Sequence, residues 1–233
     1  MSAIFKREFK SYFCTPVGYI VVAALYFFLG LYFSMIYSYG SPEIEMVIIS
    51  MSTVVIFVMP IITMRLMSED RRQKVDQALL TAPVSLTSVV LGKFFAALAV
   101  FALGFLPTVV FEIIILSKVS ANILTYLYAL LGILLLGSAL IAIGMFISSL
   151  TESSVVSAIL TLVINILVLY MSSFASLVNV TWLANILEKA AFINVFDNFG
   201  ANVFSVSDVV YFVSISAAFL FLCVRSLDKR RWA

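Results

Sequence analysis

Six apolar runs, each about as long as a bilayer is thick, leave this chain few folds to choose from. They lie at about residues 17–39, 45–64, 94–116, 123–148, 155–177 and 208–224, the last at the short end of the crossing range. At a rise of about 1.5 Å per residue, roughly 20 helical residues cross a hydrocarbon layer of about 30 Å. Inside that layer the backbone finds no water, so each run must satisfy its N–H and C=O groups within itself, as an α-helix. The expected fold class is an all-α polytopic membrane protein with six transmembrane helices, one domain over residues 1–233. Hydrophobic residues make up 64% of the chain, against about 45–50% in soluble domains, which is more than a soluble core of this size needs.

The polar residues between the runs are sorted by side. Lys6, Arg7 and Lys10, then Arg65, Arg71, Arg72, Lys74 and Lys93, then Arg225, Lys229, Arg230 and Arg231 fall on the side of the N-terminus; only Lys118 and Lys189 fall on the other. Basic residues concentrate on the cytoplasmic side of membrane proteins. Both termini are therefore expected in the cytoplasm, in a multi-pass protein of the cell membrane. The net charge of +2 is split across the membrane and points to no nucleic-acid partner. Residues 1–17 are too charged to form the apolar part of a cleavable signal.

Residues 1–16 read as an amphipathic interfacial helix. Ile4, Phe5, Phe9, Tyr12 and Phe13 share one face and Lys6, Arg7 and Lys10 the other, a pattern suited to the headgroups of an anionic leaflet. Residues 65–93, the one long polar interruption of the first half, predict a cytoplasmic helix between spans two and three. Ser68 stands at its N-cap, and Glu69 and Asp70 complement the helix dipole. Val75, Ala78 and Leu79 form an apolar face beside Arg71, Arg72, Lys74 and Asp76, and Pro83 ends the helix. Ser85 is the expected cap of a second helix that continues into span three. An ordinary basic loop would carry similar charges; the capped amphipathic pattern is what marks the segment as a docking element. Residues 178–207 alternate aromatics (Trp182, Phe192, Phe196, Phe199, Phe204) with Glu188, Lys189 and Asp197, and predict short re-entrant helices at the outer side between spans five and six.

Absences narrow the chemistry. Without histidine the chain has no HExxH zinc site and no Ser/His dyad, and Cys14 and Cys223 form no CxxC pair. Gly92-Lys93 lacks the rest of a phosphate-binding P-loop. No catalytic residue, metal ligand or bound cofactor is expected in this chain, so ATP-driven work requires a second protein. Two polar residues lie within spans. Asn165, near mid-depth, either bonds a neighbouring helix or touches a transport path, and Glu112 either reaches the interface, the preferred reading, or faces a polar interior. The pairs Ser138/Ala142 and Gly144/Ser148 place small residues four apart for close helix packing in span four.

Three blocks carry a family resemblance. PIITMRLMSEDRR followed by LLTAPVSLTSVVLGKF (residues 60–94), LLGSALIAIGMFISSLTESSVVSAIL (135–160) and FDNFGANVFSVSDVVYFVSISAAFLFLCVRSLDKRRW (196–232) resemble the permease subunits of ABC-2 type transporters, in particular the gliding-motility-associated branch. Lys74-Val75 and Gln77 depart from that pattern, which has a Gly-Thr pair and a glutamate there. The resemblance implies a half-transporter that pairs with a second permease subunit, identical or different, and with a cytoplasmic ABC ATPase dimer that binds ATP and Mg²⁺. On that reading Ser68, Glu69, Asp70, Arg71, Arg72, Val75 and Leu79 couple to the ATPase, while Phe5, Lys6, Arg7, Phe9 and Lys10 hold the first helix against lipid. The expected function is export of an apolar or amphiphilic substrate by alternating access, since the spans offer little polar lining. A second reading drops the cargo: a membrane transducer passing ATPase motion to an extracellular-domain subunit docked on residues 178–207. A membrane enzyme comes third, because Glu112 has no carboxylate partner in its own span.

Overall fold

The computed structural model describes residues 1–38, 43–72, 85–117, 122–175, 182, 191–200 and 205–231. Within them the chain is helical: α1 Ser2–Cys14, α2 Pro16–Ser38, α3 Ile44–Thr63, α4 Ser68–Arg72, α5 Leu86–Leu103, α6 Leu106–Leu116, α7 Ile123–Leu150, α8 Ser154–Leu169, α9 Met171–Ala175, α10 Phe192–Gly200 and α11 Val206–Arg231. Five segments are long and apolar enough to cross a membrane: Pro16–Ser38, Ile44–Arg72, Leu86–Leu116, Ile123–Leu150 and Val206–Lys229. The expected fifth span is instead a shorter apolar helix of 16 residues, α8, followed after a turn at Tyr170 by the single-turn α9.

The third crossing is two helices rather than one, and Pro107 is the reason. A proline ring crowds the carbonyl four residues earlier and offers it no N–H, and four residues earlier is Leu103, where α5 stops. The orphaned Leu103 carbonyl instead accepts the Tyr26 hydroxyl of α2 at 3.1 Å. Pro107 itself falls in the first turn of α6, where a missing N–H costs nothing.

The bundle is built around α7, which touches α3, α5, α8, α10 and α11. A helix contacted on every side has no polar face, and α7 buries residues all round its circumference. Its glycines admit the neighbours. A Cβ on Gly132 would lie 2.7 Å from Cβ of Phe199 on α10, and one on Gly137 would lie 2.2 Å from Cε1 of Phe101 on α5. Close approach at small residues is how membrane helices gain van der Waals energy when lipid removes the hydrophobic drive. Ser138 on α7 meets Ser216 on α11 at 3.2 Å, and two turns on Cys223 contacts the Met145 carbonyl, so α7 and α11 run parallel. Gly137→Val would force the fully buried Phe101 ring to move, at a cost of about 3 kcal/mol. We expect a sharp loss of monodisperse protein in detergent, whereas Gly30→Ala, where an added Cβ meets no atom within 4 Å, should be silent in the same chromatogram.

The aromatics of α10 point inward. Phe192, Phe196 and Phe199 are buried, with Phe192 and Phe199 packing on Phe212 of α11, and Asn198 donates to Asp208 at 3.0 Å. Trp182 is exposed, and the rest of residues 176–190, with Glu188 and Lys189, lies outside the described residues along with Phe204.

Candidate functional site: a charged junction at one end of the bundle

The polar residues of α1 and of the described parts of the 65–93 segment converge at a single end, because the chain folds back on itself before the first span. A Cβ on Gly18 would lie 2.6 Å from the Tyr12 carbonyl oxygen, so only glycine lets α2 start this close under α1. The apolar face of α1 is then used against protein: Gly92 of α5 leaves room for Ile4, whose Cγ2 an added Cβ would approach to 2.9 Å. The Tyr12 hydroxyl donates to the Ile62 carbonyl in the last turn of α3 at 2.7 Å. Burial pushes the Tyr12 phenol well above its ordinary pKa, so it remains a donor at all physiological pH. The N-terminal helix is thus docked on two spans as well as amphipathic. Phe5 and Phe9 stack at 5.8 Å on its half-buried side, and Lys6 and Lys10 are exposed.

Lys93, in the second turn of α5, is 1% exposed. An ammonium carries three donors, and each has an acceptor here: Asp70 Oδ2 at 2.8 Å, the Leu66 carbonyl at 2.8 Å and Glu8 Oε1 at 3.2 Å. Glu8 Oε1 also accepts from the Arg7 guanidinium at 2.6 Å. One buried cation therefore ties together α1, the turn after α3, α4 and α5. Beside it lies a cleft of about 350 Å³ bordered by Arg7, Glu8, Arg65, Glu69, Asp70 and Lys93, three cations facing three anions. Arg65 completes the balance by pairing with Glu69 at 2.9 Å.

A second knot ties the same turn to the α7–α8 connection. Ser148 Oγ, at the end of α7, accepts from the Met67 and Ser68 amides, both at 3.1 Å, and donates to the Met64 carbonyl at 3.2 Å. Arg71 reaches across to the Leu150 carbonyl at 3.0 Å and to Glu152 at 2.7 Å.

These contacts revise several expectations. Ser68 is not an N-cap: it is fully buried, and its hydroxyl bonds the Met64 carbonyl and meets Ser154 Oγ at 3.1 Å. Ser85 starts α5 but makes no side-chain cap bond. Glu69, Asp70 and Arg71 each have a partner, Arg72 is exposed, and Val75 and Leu79 lie outside the described residues. Ser148, read as a small packing residue, is a hydrogen-bonding hub. Glu112 does not reach out to the interface: it is 3% exposed and both carboxylate oxygens lack a hydrogen-bond partner among the described residues. Asn165 is fully buried and bonds no neighbouring helix among the described residues.

Sequence reasoning missed Glu8, Lys93, Tyr12 and Ser148 as site residues. Lys93 counted only as one more basic residue, although a lysine set within a long apolar helix near its start is a signal that it has an acid to meet. Glu8, the one acid among Lys6, Arg7 and Lys10, was its visible counterpart.

Among the described residues, an all-helical bundle with five membrane-length segments and a charge-paired junction at one end defines a polytopic membrane protein. The sequence profile of the family described as ABC-2 family transporter protein matches residues 10–168, well over half of the 233 residues, and the chain belongs to that family. Its members are permease subunits and not themselves catalytic. No curated protein matches the chain. The match covers Tyr12, Asp70, Lys93 and Ser148 of the junction but not Arg7 and Glu8, and it stops before α10 and α11, so the third block of resemblance, residues 196–232, lies beyond it.

Proposed function

We propose that this chain is the membrane-spanning permease subunit of an ABC exporter, driven by a separate cytoplasmic ATPase dimer that holds ATP and Mg²⁺, and paired with a second permease subunit. The buried Lys93 carries the reading. A cation bonded at once to α1, α4 and the turn after α3 makes these elements move as one body, which is what a force-receiving surface requires. The excess of basic residues at this end supports a cytoplasmic location for it and for both termini in the cell membrane. On this reading α8 and α9 together make the fifth of six crossings. Lys6 and Lys10 meet lipid headgroups, and α10 with its buried aromatics is a re-entrant element at the outer side.

ATP binding would close the ATPase dimer and push on α4. The push would pass through Lys93 to α5 and through Ser148 to α7, and the helices would rock between two packings. Asn165 and Glu112, both buried and without a hydrogen-bond partner among the described residues, favour a permease with a working interior over a cargo-free transducer to an extracellular-domain subunit. The scarcity of other polar lining suits an apolar or amphiphilic cargo.

Affinity purification of the tagged chain from its own membranes in mild detergent tests the assembly. A soluble ATPase recovered in equal number with the permease chains is expected; recovery of the chain alone would sink the proposal. The coupling role has its own test. Glu69, Arg71 and Arg72 changed together to Ala should leave ATP hydrolysis running but abolish its coupling to transport, and undiminished coupled transport would remove α4 from the mechanism.

A further inference from the structure

Helix α8 is built inside out. Its fully buried positions are Ser157, Thr161, Asn165 and Leu169, while Val155, Val156, Ile159, Leu160, Val163 and Leu167 are exposed. An apolar helix in lipid does not place its few polar groups inward unless they have something to meet. Here they meet nothing: Ser157 Oγ, Thr161 Oγ1 and both polar atoms of Asn165 have no hydrogen-bond partner among the described residues. Thr151 Oγ1, just before α8, likewise lacks a partner among the described residues, whereas Ser50, Thr63, Ser138 and Ser216, buried or at lipid level elsewhere, bond a carbonyl of their own helix. Ser157 and Thr161 forgo that bond and project into the seam between α8 and the α3–α7 pair. The seam is tight where it is seen. A Cβ on Gly144 of α7 would lie 2.4 Å from Thr63 Oγ1 on α3 and 3.0 Å from Thr161 Cγ2. Four unsatisfied polar atoms at spacing i, i+4, i+8 leave this packing with little hydrogen-bond energy to hold it shut, and each costs free energy that water would relieve. The stripe also begins at the junction, where Ser154 Oγ meets Ser68 Oγ.

We infer that the seam between α8 and the α3–α7 pair is a water-binding path inside the subunit, lined by Ser157, Thr161 and Asn165, and that the packing described is its closed state. It opens from the end that carries Lys93, with water and small hydrogen-bonding solutes as its ligands. This holds whether or not the chain is an exporter, because it rests on α8 alone.

The test is thiol accessibility in membrane vesicles, in a Cys14→Ser, Cys223→Ser background. A membrane-impermeant, charged methanethiosulfonate is applied to Ser157→Cys, Thr161→Cys and Asn165→Cys in turn, with lipid-facing Val163→Cys as reference. Modification at all three seam positions, several-fold faster than at the reference and slowing from 157 to 165, is expected. Gly144→Ala, which wedges the seam, should raise the rate at Thr161→Cys further. Seam thiols no more reactive than the lipid-facing one, in protein that still runs as a single species, would overturn the inference. So would Ser157→Leu leaving the labelling of Thr161→Cys and Asn165→Cys unchanged, since an apolar plug at the mouth must cut the deeper positions off from a path that water fills.

Discussion

Lys93→Met should lower the thermal unfolding midpoint of the purified protein on the order of 6 °C and disconnect ATP hydrolysis from transport in the assembled complex. The substitution keeps the length and apolar stem of the side chain and removes only the ammonium. Asp70, 21% exposed at its side chain, then loses its paired cation, Glu8, 14% exposed, keeps only Arg7, and the Leu66 carbonyl loses its donor. Breaking one partner out of a buried pair costs about 3–5 kcal/mol, and partial exposure of the acids puts this case at about 3 kcal/mol. A compensating set separates charge from packing: Glu8→Gln with Asp70→Asn in the Lys93→Met background should recover most of the lost stability, because no unpaired charge remains. It should not recover coupling, because nothing then fastens α1 and α4 to α5. A Lys93→Met protein with an unshifted midpoint would show that the three contacts do not hold the junction.

Ser148→Ala should be the second most damaging single change. It deletes one oxygen and leaves the Met67 and Ser68 amides buried without an acceptor. Two orphaned donors at about 1–3 kcal/mol each predict a loss of about 2–4 kcal/mol, far more than a surface serine is worth. Ser50→Ala, which removes a hydroxyl bonded only to the Met46 carbonyl of its own helix, should stay within about 0.5 kcal/mol of the parent. Denaturant titration of helical signal in a single detergent compares the two. Equal, small effects would mean that the turn after α3 is held by Arg71 and Lys93 without Ser148.

Much of this architecture is readable along the chain. Apolar runs of membrane length locate α2, α3, α7 and α11 to within a few residues, because the bilayer sets a length that composition must meet. The charge carried by the 65–93 segment was legible for the same reason: charge inside such a chain is expensive and has to be placed deliberately. What was misread concerns direction. Ser68 sits where a cap belongs in sequence, but the turn after α3 carries its hydroxyl back to Met64 and across to Ser154. The i, i+4 pair Gly144/Ser148 reads as one packing face, yet Gly144 receives Thr63 while Ser148 bonds the turn beyond it. A run of 23 apolar residues at 155–177 reads as one span, but α8 ends at Leu169 and α9 follows it after a turn.

By itself the sequence determined that this is a helical membrane protein, roughly where its helices lie and which end carries the charge. All three follow from the energy of moving a residue between water and lipid, a property of each residue and its neighbours in the chain. Only the tertiary structure decided that Lys93 meets Glu8, Asp70 and the Leu66 carbonyl, that Ser148 holds the turn after α3, and that the polar stripe of α8 faces inward unpartnered. Hydrogen bonds and ion pairs act over about 3 Å, so they depend on which helix faces arrive side by side. Residues separated by as much of the chain as Glu8, Asp70 and Lys93 acquire that relation only when the helices pack.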